Sequence, residues 1–323
     1  MDTSVNVVGP NPAVKKVLEN CMNMEVNQYP SPYSDDLRKA LAEKYNLDED
    51  NFVVGNGSDE LLDVSFKSFL ESGDVVVAPH PSYVLHSFFV KINGGKFETV
   101  DLLPSFQLDV DQMLEKKSKM IILCTPNNPT SNCFKKDDVK RLIEEYEGPI
   151  IVDEAYAEYS SEGFIRHVNE FDNLIVTRTF SKAYGLAGMR VGYLAANKKL
   201  ATMMQKVKIP YSLNKISEAV AIAALKNTEY LEKGQKIVNE QREKLSKGLH
   251  ELGFEVFPSE GNFIMFRVNV PSDEFVSRLA EKGILIRDFG KRRMLENCVR
   301  TTIGTEELNE LLLKKIKEVN EEW

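Results

Sequence analysis

Asn173-Leu174-Ile175-Val176-Thr177-Arg178-Thr179-Phe180-Ser181-Lys182-Ala183-Tyr184-Gly185-Leu186-Ala187-Gly188-Met189-Arg190-Val191-Gly192-Tyr193 is the stretch on which the reading of this chain turns. It begins as an apolar run of strand character, and Lys182 follows just where that strand ends. Hydroxyl side chains flank the lysine, and Arg190 comes eight residues later in a glycine-rich loop. An amine can condense with a carbonyl, while hydroxyls and a guanidinium can hold a phosphate. Taken alone, a lysine after a strand is most often a solvated turn residue, so its meaning depends on the other strand ends. The same stretch bears on topology. Between Val176 and the next apolar run, 190–195, only about a dozen residues are available, which is marginal for a parallel crossover. The second strand is therefore expected to run antiparallel to the first, with Lys182 at the corner.

Upstream, short apolar runs alternate with helical periodicity. Strands are expected at 52–54, 75–78, 97–100, 120–124 and 149–152, and at 174–177 in the opening stretch. Helices are expected at 34–45, 59–70, 83–90, 136–146 and, more weakly patterned, 163–171. The first of these is read as capped by Ser34, with Leu37, Leu41 and Tyr45 on its buried face. Continuous apolar strands between helices predict an α/β fold with a mostly parallel sheet covered on both faces. From Ser212 onward the character changes. Helices at 215–225 and 229–252 precede strands at 262–266, 284–286 and 299–302. A last helix begins at Thr305, with Leu308, Leu312, Ile316 and Val319 spaced for burial. This part reads as a smaller α+β domain.

Composition narrows the function classes. At 323 residues the chain is long for a single core, and two domains are expected. A net charge of −8 and the absence of a basic stripe argue against nonspecific nucleic-acid binding. Arg287, Lys291, Arg292, Arg293 and Arg300 nevertheless form a local basic cluster that could serve an anionic small substrate or a solvated loop. Four scattered cysteines and four histidines show no metal-ligand spacing, so no metal is expected. The polar start without a signal peptide, and the lack of a long apolar run, predict a cytoplasmic protein.

In open α/β sheets, ligands gather at the carboxyl ends of the strands. After the 120–124 strand comes Thr125-Pro126-Asn127-Asn128-Pro129-Thr130, and after the 149–152 strand comes Asp153-Glu154-Ala155-Tyr156. After the 174–177 strand comes Lys182. One rim thus carries an amide, a carboxylate, a phenol and an amine. The turn Gly55-Asn56-Gly57-Ser58 opens a helix beside it, offering backbone N–H groups to an anion.

This constellation resembles the fold-type-I pyridoxal-phosphate (PLP) aminotransferases, and in detail their histidinol-phosphate branch. Asn27-Gln28-Tyr29-Pro30, Gly57-Ser58-Asp59-Glu60, Pro81-Ser82-Tyr83, Ile286-Arg287-Asp288 and Val299-Arg300-Thr301-Thr302-Ile303-Gly304 carry the likeness together with the strand-end segments. The resemblance implies a PLP-transferase-like large domain over 29–212 and a smaller domain made of 1–28 and 213–323. It implies that Lys182 bonds the PLP aldehyde and shuttles protons, and that Asp153 pairs with the pyridine nitrogen. Asn128 and Tyr156 would hydrogen-bond the ring's phenolic oxygen, and Tyr83 would stack on the ring. Arg190, Ser181, Thr179 and the N–H groups of Gly57 and Ser58 would hold the cofactor phosphate. Tyr29 would reach the phosphate of a neighbouring subunit in a homodimer. Arg300 and Arg287 would bind the substrate's anionic group.

The implied reaction is transamination of histidinol phosphate with 2-oxoglutarate, giving imidazole acetol phosphate and glutamate in histidine biosynthesis. An aromatic or broad-specificity aminotransferase, or a PLP lyase such as a threonine-phosphate decarboxylase, uses the same machinery. A noncatalytic α/β binding protein is the reading from another class, and the missing G-x-G-x-x-G counts against a dinucleotide site. Three departures from the family pattern stand out. Val7 and Val8 occupy positions where a proline and an aromatic are expected, with the loss of an aromatic substrate contact as the implied consequence. The family's usual upstream extension is absent. Ser131 replaces the glycine common after Pro-Thr.

Overall fold

The computed structural model describes residues 1–161 and 163–323. Seven strands form the larger sheet: β1 (Phe52–Gly55), β2 (Val75–His80), β3 (Lys96–Asp101), β4 (Met120–Cys124), β5 (Ile150–Asp153), β6 (Leu174–Thr179) and β7 (Gly192–Ala196). Their spatial order is β1-β7-β6-β5-β4-β2-β3. The run β6-β5-β4-β2-β3 is parallel, whereas β7 lies antiparallel to both β6 and β1. The short loop after β6 therefore turns back as expected, and Lys182 stands on that corner.

Side chains of a strand alternate between faces, and the core follows that period. On β5, Ile150 and Val152 join one apolar cluster and Ile151 the other; on β6, Leu174 and Val176 join the first and Ile175 the second. The first cluster is sealed by α2 (Asp35–Tyr45), α6 (Lys136–Glu145) and α8 (Lys215–Lys226). The second is sealed by α3 (Ser58–Phe69), α4 (Leu85–Ile92) and α7 (Lys198–Val207). Leu37 and Leu41 of α2 are fully buried, each burial contributing about 1.5–3 kcal/mol. The same alternation places Asp153 on the Ile151 face and Thr177 and Thr179 on the Ile175 face, so all three look toward α3 and α4.

Four antiparallel strands form the smaller sheet in the order β10-β11-β9-β8: β8 (Glu255–Val256), β9 (Phe263–Arg267), β10 (Arg287–Asp288) and β11 (Cys298–Thr302). Its core packs under α9 (Thr228–Glu251), α10 (Ser272–Glu281) and α11 (Glu306–Asn320). Two further helices, α1 (Pro12–Asn20) and α5 (Val110–Glu115), complete the chain. Among the described residues no helix is long and apolar enough to cross a membrane.

Several local expectations are corrected. Ser34 has left-handed backbone (φ 55°) and its hydroxyl caps nothing; Ser31 Oγ takes the Asp35 N–H at 3.3 Å instead. The 163–171 stretch holds only the short 3-10 turn Ile165–His167: Phe164, Ile165 and Val168 are buried at helical spacing, but the backbone closes with i→i+3 bonds, from the His167 N–H to the Phe164 carbonyl and from the Glu170 N–H to the His167 carbonyl, both at 2.9 Å. The 284–286 strand is displaced to Arg287–Asp288, where pairing with β11 begins. Leu308 is exposed, since it lies in the first turn of α11 beyond the reach of the core. Ser131 does adopt the left-handed conformation that glycine favours (φ 67°), at a cost of about 1–2 kcal/mol. Its buried hydroxyl donates to the Phe263 carbonyl at 2.8 Å, which offsets that cost and joins the rim of the large sheet to the small one.

Candidate active site

The strand ends of β4, β5 and β6, the start of α3 and the small-sheet strands β10 and β11 enclose a cavity of about 320 Å³. Lys182, Asp153, Tyr156, Asn128, Tyr83, Ser58, Thr179, Ser181, Arg190, Arg287 and Arg300 all line it. Gly57 and Tyr29 are the expected site residues outside that lining. Tyr29 is 81% exposed and its ring meets Tyr211 at 5.0 Å, on the outside of the molecule.

Asp153 is buried, and its carboxylate is held from three sides. Oδ1 accepts from the Ala155 N–H at 3.2 Å and from Thr177 Oγ1 at 3.1 Å, while Oδ2 lies 3.3 Å from His86 Nε2. His86 sits on α4, three residues beyond Tyr83; its N–H donates to the Tyr83 carbonyl at 3.2 Å, so the turn that starts the helix sets Tyr83 at the cavity and the buried His86 behind Asp153. That spacing was available in the sequence and was not used. On the opposite face of the strand ends, Arg178 is buried with Glu154 and Glu158. Its Nη2 lies 2.6 Å from Glu154 Oε2, and its Nη1 reaches Glu158 at 3.3 Å and Tyr45 Oη at 3.2 Å. This bracket clamps β5 to β6 directly beside Asp153 and Thr179. Removing one partner of such a buried pair costs about 3–5 kcal/mol.

Lys182 points its amine across the Tyr156 ring, 5.4 Å from the centroid, and donates to the Thr3 carbonyl at 3.3 Å. Burial, and then the positive charge of Arg300, pull its pKa down to about 8. At pH 7.5 roughly a quarter of such amines are neutral, against about one in a thousand at the ordinary 10.4. Burial pushes the Tyr156 phenol upward, so it stays protonated and donates or accepts as a neutral group. Asn128 Nδ2 reaches Tyr156 Oη at 3.4 Å, and Asn128 Oδ1 accepts from Arg300 Nη1.

An anion cradle lies at the N-terminus of α3, where Ser58 opens the helix. Arg190 Nη1 contacts Ser181 Oγ at 3.4 Å, and Thr179 Oγ1 contacts the same hydroxyl at 3.0 Å. The Gly57 N–H donates to the Gly55 carbonyl at 2.9 Å, so the contribution of Gly57 is space: at φ 86°, a Cβ there would stand 2.8 Å from Arg190 Nη2. Asp59, another residue overlooked in the sequence, takes Arg190 Nη2 at 3.2 Å. Burial and then the Asp153 charge push the Asp59 carboxyl upward.

Gly192 brings β7 against this turn. A Cβ there would lie 2.3 Å from Ser58 N and 2.4 Å from the Gly57 carbonyl carbon, both backbone atoms that cannot yield cheaply. Gly192→Ala is expected to destabilise the fold by about 1–3 kcal/mol and to weaken anion binding at α3. Urea unfolding measures the first effect, and an unchanged midpoint would contradict the close packing.

Arg287 and Arg300 are register partners across β10 and β11. Arg300 is buried between Phe263 and Phe289, its guanidinium carbon 5.0 and 5.5 Å from their centroids. A second cavity of about 200 Å³ adjoins the first through Tyr83, Asn128, Arg287 and Arg300, and adds Phe289 and Arg292. Val7 and Val8 line neither cavity; the N-terminal segment reaches the first through Thr3.

The cavity thus gathers a lysine, a fixed carboxylate and three arginines, and the whole chain can be set beside known proteins. The family described as aminotransferase class I and II matches residues 3–316. The chain belongs to that family. This aminotransferase is 37% identical over 315 residues to the histidinol-phosphate aminotransferase of Caldanaerobacter subterraneus subsp. tengcongensis, covering 96% of this chain and 89% of that one. To the histidinol-phosphate aminotransferase of Methanocaldococcus jannaschii it is 37% identical over 330 residues, covering 99% and 88%. Its fold superposes with a TM-score of 0.93 on the histidinol-phosphate aminotransferase of Sinorhizobium meliloti in complex with pyridoxal-5'-phosphate, at 26% identity, covering 99% of this chain and 90% of that one.

Proposed function

We propose that this aminotransferase binds PLP in the Lys182 cavity and transfers the amino group of histidinol phosphate to 2-oxoglutarate. The observation that carries the substrate is the Arg287–Arg300 pair. Two arginines in register line the same cavity, and the buried Arg300 Nε has no partner, which favours an anionic substrate group beside them. A phosphate has oxygens enough for both guanidiniums.

The cavity fits the cofactor on its own terms: Gly57 leaves the space that Arg190 fills, and hydroxyls with a helix N-terminus converge beside it. PLP supplies an aldehyde for the amine and a ring that takes up the electron pair left at the substrate's α-carbon. Lys182, in its neutral form, is the amine that would condense with the aldehyde, releasing water, and, once the substrate's amine had displaced it, would be free to carry the proton to and from the α-carbon. Asp153, held on both oxygens, would keep the ring nitrogen protonated. Asn128 and Tyr156 would orient the ring oxygen, and Tyr83 would cover the ring face. Arg190, Ser58, Thr179 and Ser181 would hold the phosphate.

The reading extends to architecture. Residues 29–212 would hold the cofactor, while 1–28 and 213–323 would close over the substrate. Tyr29, exposed on its own subunit, would reach a second copy's phosphate in a homodimer. A cytoplasmic place in histidine biosynthesis accords with the four free cysteines and the relatives' activity.

The direct test is glutamate formation from histidinol phosphate and 2-oxoglutarate. No glutamate, or carbon dioxide release from threonine phosphate in its place, would remove this reading. Arg287→Ala is expected to raise KM for the phosphorylated substrate about tenfold or more and for glutamate about threefold at most. Equal losses would remove Arg287 from phosphate binding.

A further inference from the structure

The anion site is already engaged by the chain's own N-terminus. Arg287 Nη2 donates to Asp2 Oδ2 at 2.9 Å, and Arg287 Nε stands 2.6 Å from Asp2 Oδ1 in ion-pair contact, without a hydrogen bond to that buried oxygen. Arg300 Nη2 donates to the Asp2 carbonyl at 2.9 Å. The strap is pinned on either side of Asp2. The Thr302 N–H and hydroxyl both donate to the Met1 carbonyl at 2.8 Å, and the Ser4 N–H donates to Thr302 Oγ1 at 3.0 Å. Asn262 holds the Ser4 carbonyl at 3.0 Å. With the backbone fixed, the partly exposed Asp2 side chain can leave Arg287 by rotating about its own bonds.

Arg300 is different. It is 7% exposed, and its Nε is buried without a partner. A buried donor left without a partner is unfavourable and marks a place for a ligand oxygen. A carboxylate can therefore dock on Arg300 while Asp2 stays on Arg287. Two guanidiniums are then balanced by two carboxylates. A phosphate monoester carries a charge of about −1.5 to −2 at pH 7, and so balances both arginines alone. Its arrival makes the Asp2 charge superfluous.

We infer that Asp2 is an exchangeable counter-ion that lets one site serve two anions. It pairs with Arg287 when a carboxylate substrate is bound and yields that arginine when a phosphate substrate is bound. Asp2 is thus a specificity-determining residue, handicapping the phosphate, which must displace it, and sparing the carboxylate. The inference rests on Arg287 and Arg300 being the substrate-anion site.

Titration calorimetry on the cofactor-loaded protein tests it with two unreactive probes, ethyl phosphate and glutarate. Asp2→Asn keeps the shape and removes the charge. It is expected to tighten ethyl phosphate about fivefold to tenfold and to change glutarate by less than about twofold, with Asp2→Glu behaving as wild type. Equal tightening of both probes, or no change in either, overturns the inference. Arg287→Ala separates the two levels. If it weakens ethyl phosphate while Asp2→Asn has no effect, only the counter-ion role falls. If neither substitution matters, the anion site itself falls with it.

Discussion

Lys182→Ala is expected to lower transamination turnover by about 10⁴-fold or more, equivalent to about 5.5 kcal/mol or more of lost barrier reduction. Two functions vanish in one substitution: the amine that bonds the cofactor aldehyde, and the base that moves the α-proton. The phosphate cradle and the Asp153 carboxylate are untouched, because Arg190 is held to Ser181, and Asp153 to Thr177 and Ala155, without help from Lys182. The variant should therefore still bind PLP, noncovalently. Turnover assays with histidinol phosphate, paired with equilibrium dialysis of the cofactor, report the two expectations separately. Activity within tenfold of wild type would show that another group supplies the base.

The second large effect belongs to Asp153. Asp153→Asn preserves size and can keep the Thr177 and Ala155 contacts through its remaining oxygen. It loses the negative charge that keeps a pyridine nitrogen protonated. Removing one preorganised electrostatic group of this kind costs about 10²–10³ in kcat. Cofactor should stay bonded to Lys182, since the amine and its lowered pKa of about 8 arise chiefly from burial and the charge of Arg300. A variant that keeps both its colour and its full turnover would contradict the assigned role of Asp153. Loss of cofactor together with turnover would point to a structural role instead.

Much of this site could be read from strand ends. The 120–124, 149–152 and 174–177 runs are continuous and apolar because both sheet faces are covered, and that makes their carboxyl ends easy to locate. Position at the strand ends brings out Asp153, Asn128 and Lys182 as one group, while their roles come from the family resemblance. The antiparallel turn after β6 followed from a loop too short for a crossover. What escaped depends on contacts distant in sequence. Asp2 meets Arg287 only because the small sheet brings β11 beside the N-terminus, and nothing in the local pattern of the first residues signals it. Asp59 stands in a segment that carries the family likeness, but its contact with Arg190, 131 residues further on, shows only in the packed fold. At 163–171 the apolar spacing fits a helix and those residues do reach the core, but period alone does not distinguish an α-helix from a chain of 3-10 turns. Ser131 could be flagged as a departure, but its left-handed backbone and the bond to Phe263 required the packed fold.

The central claim is that Lys182 is the amine that bonds the cofactor. Borohydride reduction of the PLP-loaded protein, followed by proteolysis and mass spectrometry of the peptides, tests it most directly. The account predicts one modified peptide, carrying the reduced pyridoxyl phosphate on Lys182. A label on another lysine, or none on a protein that has taken up PLP, would contradict it.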